Sequence, residues 1–126
     1  IALSQISDLI NVAEDVKGIK LIRKSFEGMT SEDLRNTAEL LIDRNDSLVV
    51  LFAGESDGKI NYVCAAGKTA QSRGAHAGKI VKEVAAIAGG GGGGKPGFAQ
   101  AGGKDLDKLQ DSIDAVLDIA GGFIAD

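Results

Sequence analysis

Six consecutive glycines, Gly89 to Gly94, run directly into "KPGFAQAGG", and no other stretch limits the fold of this chain as much. Polyglycine has no side chains to bury. It either joins two folded pieces or forms a loop whose bare backbone meets something else. Too few residues follow it to build a second domain. The helix expected over 105–120 must therefore pack back on the same core, which makes the run internal to one domain.

A nucleotide-binding loop is the first chemistry to test. Gly89, Gly94 and Lys95 meet the first part of GxxxxGK[ST], but Pro96 stands where the magnesium-binding hydroxyl is required. Gly89, Gly91 and Gly94 also fit GxGxxG, as any six glycines must. Both motifs follow a strand, whereas residues 74–88 read as a helix. A loop that offers its backbone to a phosphate-bearing macromolecule fits better. Gly89, Gly90, Gly91, Gly92, Gly93 and Gly94 allow close approach, and their N–H groups can line an anion-binding concavity. Lys95 adds charge, Pro96 stiffens the exit, and Gly102 and Gly103 lead into the last helix. Phe98 is either an apolar anchor for the loop or a stacking platform for a base.

Charge supports the same reading. Residues 58–104 hold seven Lys/Arg against the single acid Glu83, a net of +6, while residues 1–57 and 105–126 each carry a net of −5. The glycines sit inside the only basic block of a chain whose formal net charge is −4. Such asymmetry can focus an anionic partner onto one face.

The remaining pattern is that of one α/β domain of 126 residues. Leu3, Ile6, Ile10 and Ala13 step by three and four, which predicts a short N-terminal helix over 3–16 ending near Gly18. Residues 19–26 alternate as a strand. Thr30 caps a helix with Glu32 and Asp33 in its first turn, Met29 stapled to Leu34, and Leu34, Ala38, Leu41 and Ile42 inward. Residues 47–54 and 60–66 are strands joined by a hairpin turn at 56–59. Residues 19–66 are thus expected to supply all the main strands of a small mixed β-sheet with packed helices and a right-handed crossover. The helix over 74–88, with Ser72 as its cap, buries Ala77, Ile80, Val81, Val84 and Ala88, leaving Lys79 and Lys82 outward. The last helix buries Leu106, Leu109, Ile113, Val116 and Leu117 beneath a solvated stripe of Asp107, Asp111, Asp114 and Asp118. Cys64 reads as a small buried hydrophobe in a strand. A lone cysteine suits a reducing compartment. With no apolar run of membrane-spanning length and no secretory signal, the chain is read as cytoplasmic and away from membranes. It opens at Ile1 rather than methionine, as a piece of something longer would.

"GGGGGGKPGFAQAGG" closely resembles the glycine-rich signature that ends alanyl-tRNA synthetases, a run of glycines, a basic residue, Pro, then A-Q-A-G-G. "GAHAGKIVKEVA" resembles the helix before that signature, and the resemblance covers about residues 19–120. It extends to the nucleic-acid-binding domain attached to DHH phosphoesterases, whose members carry a histidine where this chain has Lys95. Gly97 departs from the synthetases, in which this position is often acidic. The resemblance implies residues 1–17 as the end of a helical connector and residues 18–126 as a globular nucleic-acid-binding domain with a glycine-rich loop at 89–97. It implies binding to tRNA, that for alanine, at its outer elbow, on behalf of aminoacylation and editing domains elsewhere in the same enzyme. ATP would serve the absent catalytic region, leaving this piece without a cofactor. The RNA-contacting set so implied is Lys68, Arg73, Lys79, Lys82, Gly89–Gly94, Lys95, Pro96, Phe98, Gln100, Gly102 and Gly103.

No catalytic residue is assigned. The single histidine, His76, lacks a cysteine or second histidine to complete a metal site, and reads as structural or exposed, with a phosphate contact as the alternative. Ser72 has no local acid to complete a nucleophilic arrangement with it. Two competing readings remain: a domain that mainly homodimerises through the helix 3–16, and a single-stranded nucleic-acid-binding domain of the phosphoesterase type.

Overall fold

Apolar alternation flanking a continuous apolar run calls for a sheet covered on both faces. The computed structural model has that sheet, and it describes residues 13–27 and 30–124. Along the chain lie β1 (Glu14–Val16), β2 (Ile19–Glu27), α1 (Ser31–Arg44), β3 (Leu48–Ser56), β4 (Lys59–Ala66), α2 (Lys68–Ser72) and α3 (Ala77–Ile87). β5 (Gly91–Gly94), β6 (Phe98–Gly103), a 3₁₀ turn (Leu106–Lys108) and α4 (Leu109–Phe123) follow. The strands form one mixed sheet in the order β1-β2-β3-β4-β6-β5. β2 and β3 pair in parallel across the α1 crossover, and the other pairs are antiparallel.

The period-2 pleat divides the core. Val49, Leu51, Ala53, Tyr62 and Cys64 face α3 and α4, packing on Ile80, Val81, Val84, Ile113 and Val116. Leu48, Val50, Phe52, Val63 and Ala65 face α1, meeting Leu34, Ala38 and Leu41. Tyr62 reaches through the first layer, its buried hydroxyl 2.7 Å from Ser112 Oγ. Ser112 donates its own proton to the Leu109 carbonyl at 2.6 Å, so Tyr62 is the donor of this pair. Cys64 is fully buried, and its surroundings push the thiol well above its ordinary range. α1 begins with a reciprocal capping box between Thr30 and Asp33. The expected Met29 staple lies outside the described residues.

Four expectations need correction. Residues 3–12 of the expected N-terminal helix lie outside the described residues, but Glu14–Val16 is a strand paired with β2. Lys17 and Gly18, at φ 55° and 92°, form a tight turn whose twist suits a hairpin. Arg23 then fastens β1 by donating to both Glu14 oxygens at 2.7 and 3.3 Å. The same guanidinium reaches the carbonyls of Ile113 and Asp114, at 3.1 and 2.8 Å, and so holds α4 to β2. Second, residues 19–66 do not supply the whole sheet, since β1, β5 and β6 lie outside that range. Third, Ser72 does not cap the helix after it. It ends the short α2, Gly74 breaks the chain at φ 106°, and His76 is the cap of α3. Fourth, the run expected as a glycine-rich loop over 89–97 is mostly strand β5 and its turn.

Glycine has little intrinsic strand preference, so tertiary contacts must impose that state. Gly89, at φ 72°, is the left-handed residue that ends α3. Its N–H donates to the Ala86 carbonyl and that of Gly90 to Ala85, at 3.2 and 2.9 Å, which is a Schellman termination. The chain then doubles back along β6, from Gly91 opposite Gly102 to Gly94 opposite Ala99. α3 lies directly on this ribbon: a Cβ on Gly78 would stand 2.5 Å from the Gly94 carbonyl oxygen. By contrast, a Cβ on Gly91 would meet nothing within 4 Å. Six glycines therefore serve different ends, and only some are sterically required.

Candidate nucleic-acid interface

The β5–β6 hairpin turns at Pro96 and Gly97. Its tip docks on the start of α3, where Ala77 N–H donates to the Pro96 carbonyl at 2.9 Å and Gly78 N–H to the Lys95 carbonyl at 3.2 Å. The third free N–H of the helix, that of Lys79, donates to Nδ1 of His76 at 3.2 Å. The N–H groups of the first three helical residues of α3 are thus taken up within the protein, which closes the usual helix-terminus anion site to them.

This docking gathers charge. The tip, the end of β4, α2 and the start of α3 share one end of the sheet, because β4 pairs antiparallel with β6 and β6 with β5. Lys68, Lys79, Lys95 and Pro96 are all exposed there, and Lys82 is exposed one turn further along α3. Among the described residues, none of these four lysines makes an ion pair. The aspartates of the stripe, Asp107, Asp111, Asp114 and Asp118, are exposed on the 3₁₀ turn and α4. Arg73 belongs to the same end of the sheet but is half-buried, with Nη2 donating to the Lys17 carbonyl at 2.7 Å. Lys17 in turn donates to the carbonyls of Gly121 and Ile124, at 3.1 and 3.2 Å, where the negative end of α4 favours a cation.

The other members of the set lie elsewhere. Phe98 packs on the α1 side of the sheet against the cluster that includes Ala65, its cross-strand neighbour, so the anchor role describes it. Gln100 is exposed on that same side, between Val63 and Gly93. With Gly91, Gly93 and Gly102 it forms a sheet surface nearly free of side chains, next to Asn61. Gly89, Gly90, Gly102 and Gly103 are at the opposite end of the hairpin from Lys95. Gly103 is buried, with a Cβ there lying 3.1 Å from Ala88 and from the Tyr62 ring. Gly97 abuts Gln71, whose amide donates to the Ala66 carbonyl at 2.8 Å. A larger residue at 97 would displace that side chain.

The concave nest expected of the glycines is absent, for a geometric reason. Lys95 N–H donates to the Phe98 carbonyl at 3.0 Å. Antiparallel alternation then pairs Gly93 and Gly91 with β6 and turns Gly92 and Gly94 to the outer edge. N–H groups that point alternately in opposite directions cannot converge on one anion. The hairpin contributes position and bare surface, and the lysines contribute charge.

Residues 18–122 match the model of the DHHA1 domain. The chain belongs to the DHHA1 domain family. Among curated relatives it is 40% identical over 119 residues to an alanine–tRNA ligase of Alkaliphilus oremlandii, covering 94% of this chain and 14% of the relative. The chain spans about one-seventh of the length of the relatives it matches in this way. Among solved structures it is similar to the C-Ala domain of Aquifex aeolicus alanyl-tRNA synthetase. The identity there is 33% with a TM-score of 0.78, covering 87% of this chain and 98% of that one. A DHH-domain protein described as a member of the s1p family of ribosomal proteins shares the fold at 18% identity and a TM-score of 0.64, over 97% of this chain and 31% of that one. The synthetase members are thus nearer than the DHH proteins, and the phosphoesterase alternative is not favoured. Among the described residues, no helix is long and apolar enough to cross a membrane.

His76 is the residue whose role sequence reasoning missed. Its signal was present in "HAGK", a polar side chain three residues before the N–H it accepts, but histidine is outside the usual set of capping residues.

Proposed function

We propose that this chain is the tRNA-binding C-terminal domain of a cytoplasmic alanine–tRNA ligase. It holds tRNA, that for alanine, by its elbow while other domains of the same enzyme carry out ATP-dependent aminoacylation and editing. Residues 1–17 end the connector to those domains, with Glu14–Val16 paired into the sheet as β1. The observation that carries this reading is the docked hairpin tip, which brings Lys95 to the start of α3 near Lys79, with Lys68 exposed at the same end of the sheet and none of the three in an ion pair among the described residues. Exposed lysines outside any internal ion pair attract a phosphate backbone and give up little stability in doing so. The nearly bare face of Gly91, Gly93, Gln100 and Gly102 permits close approach of a broad, folded nucleic acid. Phosphate contacts position without reading sequence, so selection of alanine tRNA falls to the rest of the enzyme or to tRNA shape.

Parallel filter-binding titrations with tRNA, unstructured single-stranded RNA and oligo-dT at fixed salt test the proposal. Preferential binding of tRNA is expected. Equal or tighter binding of oligo-dT would instead indicate a single-strand-binding domain.

A further inference from the structure

His76 stands at the junction of α3 and the hairpin tip, and its imidazole already has one task. Nδ1 accepts the Lys79 N–H at 3.2 Å, which requires a lone pair on that nitrogen. A neutral imidazole that accepts at Nδ1 carries its proton on Nε2. The ring is half-buried, and among the described residues no acceptor partners that Nε2–H. Its neighbours are fixed by the backbone. Lys79 lies three residues on, and Ala77 and Gly78, the next two residues, hold the carbonyls of Pro96 and Lys95. The cap thus does two things: it terminates the helix, and it locks the tautomer that leaves Nε2–H as a spare donor on a half-buried ring near Lys79 and Lys95, both exposed.

We propose that His76 is a further RNA-contacting residue, whose Nε2–H donates a hydrogen bond to a phosphate oxygen held by Lys79 and Lys95. This rests on the tRNA-binding reading above. The lysines supply charge with flexible reach, while the histidine supplies direction. Its contact is made by a neutral donor, so it leaves the counterion balance untouched. That sets it apart from the lysines, each of which displaces about one counterion and contributes about 0.9 to the salt slope.

His76→Ser is the decisive variant, because serine keeps a capping oxygen while its hydroxyl proton, one bond from Cβ, falls well short of the position that Nε2–H occupies. The expected result is an unchanged melting temperature, tRNA affinity lower by about three- to ten-fold, and a parental slope of log K against log salt. Lys79→Ala and Lys95→Ala should lower affinity and flatten the slope. His76→Ala, which loses the cap as well, should melt earlier. If His76→Ser binds tRNA like the parent while the lysine variants weaken it, His76 is a cap and nothing more. If none of the three weakens binding, the tRNA reading fails with it. A second measurement is independent of mutation. As the chain has one histidine, its imidazole nitrogen signals are its own. The Nε2–H tautomer should dominate in the free protein at pH 8, and added tRNA should shift and protect that proton. A dominant Nδ1–H tautomer, or a signal indifferent to tRNA, would overturn the assignment.

Discussion

Replacing Gly78 by alanine places a methyl group 2.5 Å from the carbonyl oxygen of Gly94. In an ordinary exposed helix this change stabilises by about 1 kcal/mol, because alanine restricts the unfolded chain and favours the helix. Here the neighbour is backbone in a strand clamped on its other side by β6, and it cannot swing aside. Overpacking of this kind costs about 1–3 kcal/mol, so the propensity gain is cancelled and the sign reverses. The net expectation is a loss of about 1 kcal/mol, or about 3–5 °C in Tm for a domain of this size. Gly91→Ala is the control, since its methyl meets open space. It should leave stability within about 0.5 kcal/mol. Thermal and urea melts of both variants, followed by circular dichroism, read the difference. A Gly78→Ala protein more stable than its parent would show that α3 does not press on the glycine ribbon.

Other consequences follow from the core and the exposed charges. Ser112→Ala strands the buried Tyr62 hydroxyl and should cost about 1–3 kcal/mol, whereas Tyr62→Phe leaves Ser112 bonded to Leu109 and should cost about 1 kcal/mol or less in urea melts. Burial raises both the Cys64 thiol, ordinarily near 9.0, and the Tyr62 phenol, ordinarily near 10.0, the latter partly offset by its bond to Ser112. The folded state therefore holds these protons longer than the unfolded chain. Their stabilising contribution should be complete below pH 9 and decline as pH rises above it, and Cys64→Ala should blunt the first part of that decline in melts across pH 8 to 11. Lys82→Glu, on the exposed side of α3, should leave Tm nearly unchanged and weaken tRNA binding by repulsion, measured at 100 mM salt.

How much was legible depended on whether a residue's state is set locally. Ile19 to Phe26, Leu48 to Gly54 and Ile60 to Ala66 advertise strands through their own alternation or apolar runs, and Thr30 with Asp33 announces a helix start. Lys79 and Lys82 could be placed outward from helix geometry alone. The glycines could not be assigned to a strand, because nothing in Gly91–Gly94 favours one; pairing with Phe98–Gly103 and the approach of Gly78 decide it. Nor could Glu14–Val16, where a three-and-four apolar step suggested helix until the Lys17–Gly18 turn and the Arg23 clasp are seen together. Arg73 reads as a free cation in sequence, yet its bonding partner Lys17 is 56 residues away. Long-range contacts of this kind leave no periodic trace.

The most direct test of the proposed role is the salt dependence of tRNA binding for the parent and for Lys95→Ala, measured side by side between about 50 and 200 mM salt. Lys95 is exposed, and its side chain has no ion pair among the described residues, so removing it should leave Tm unchanged. One lost phosphate contact should weaken binding and flatten the slope of log K against log salt by about 0.9, equally for alanine tRNA and for other tRNAs. Parallel lines of equal affinity for the two proteins would mean that the docked hairpin tip meets no phosphate, and the nucleic-acid interface would have to lie elsewhere on the domain.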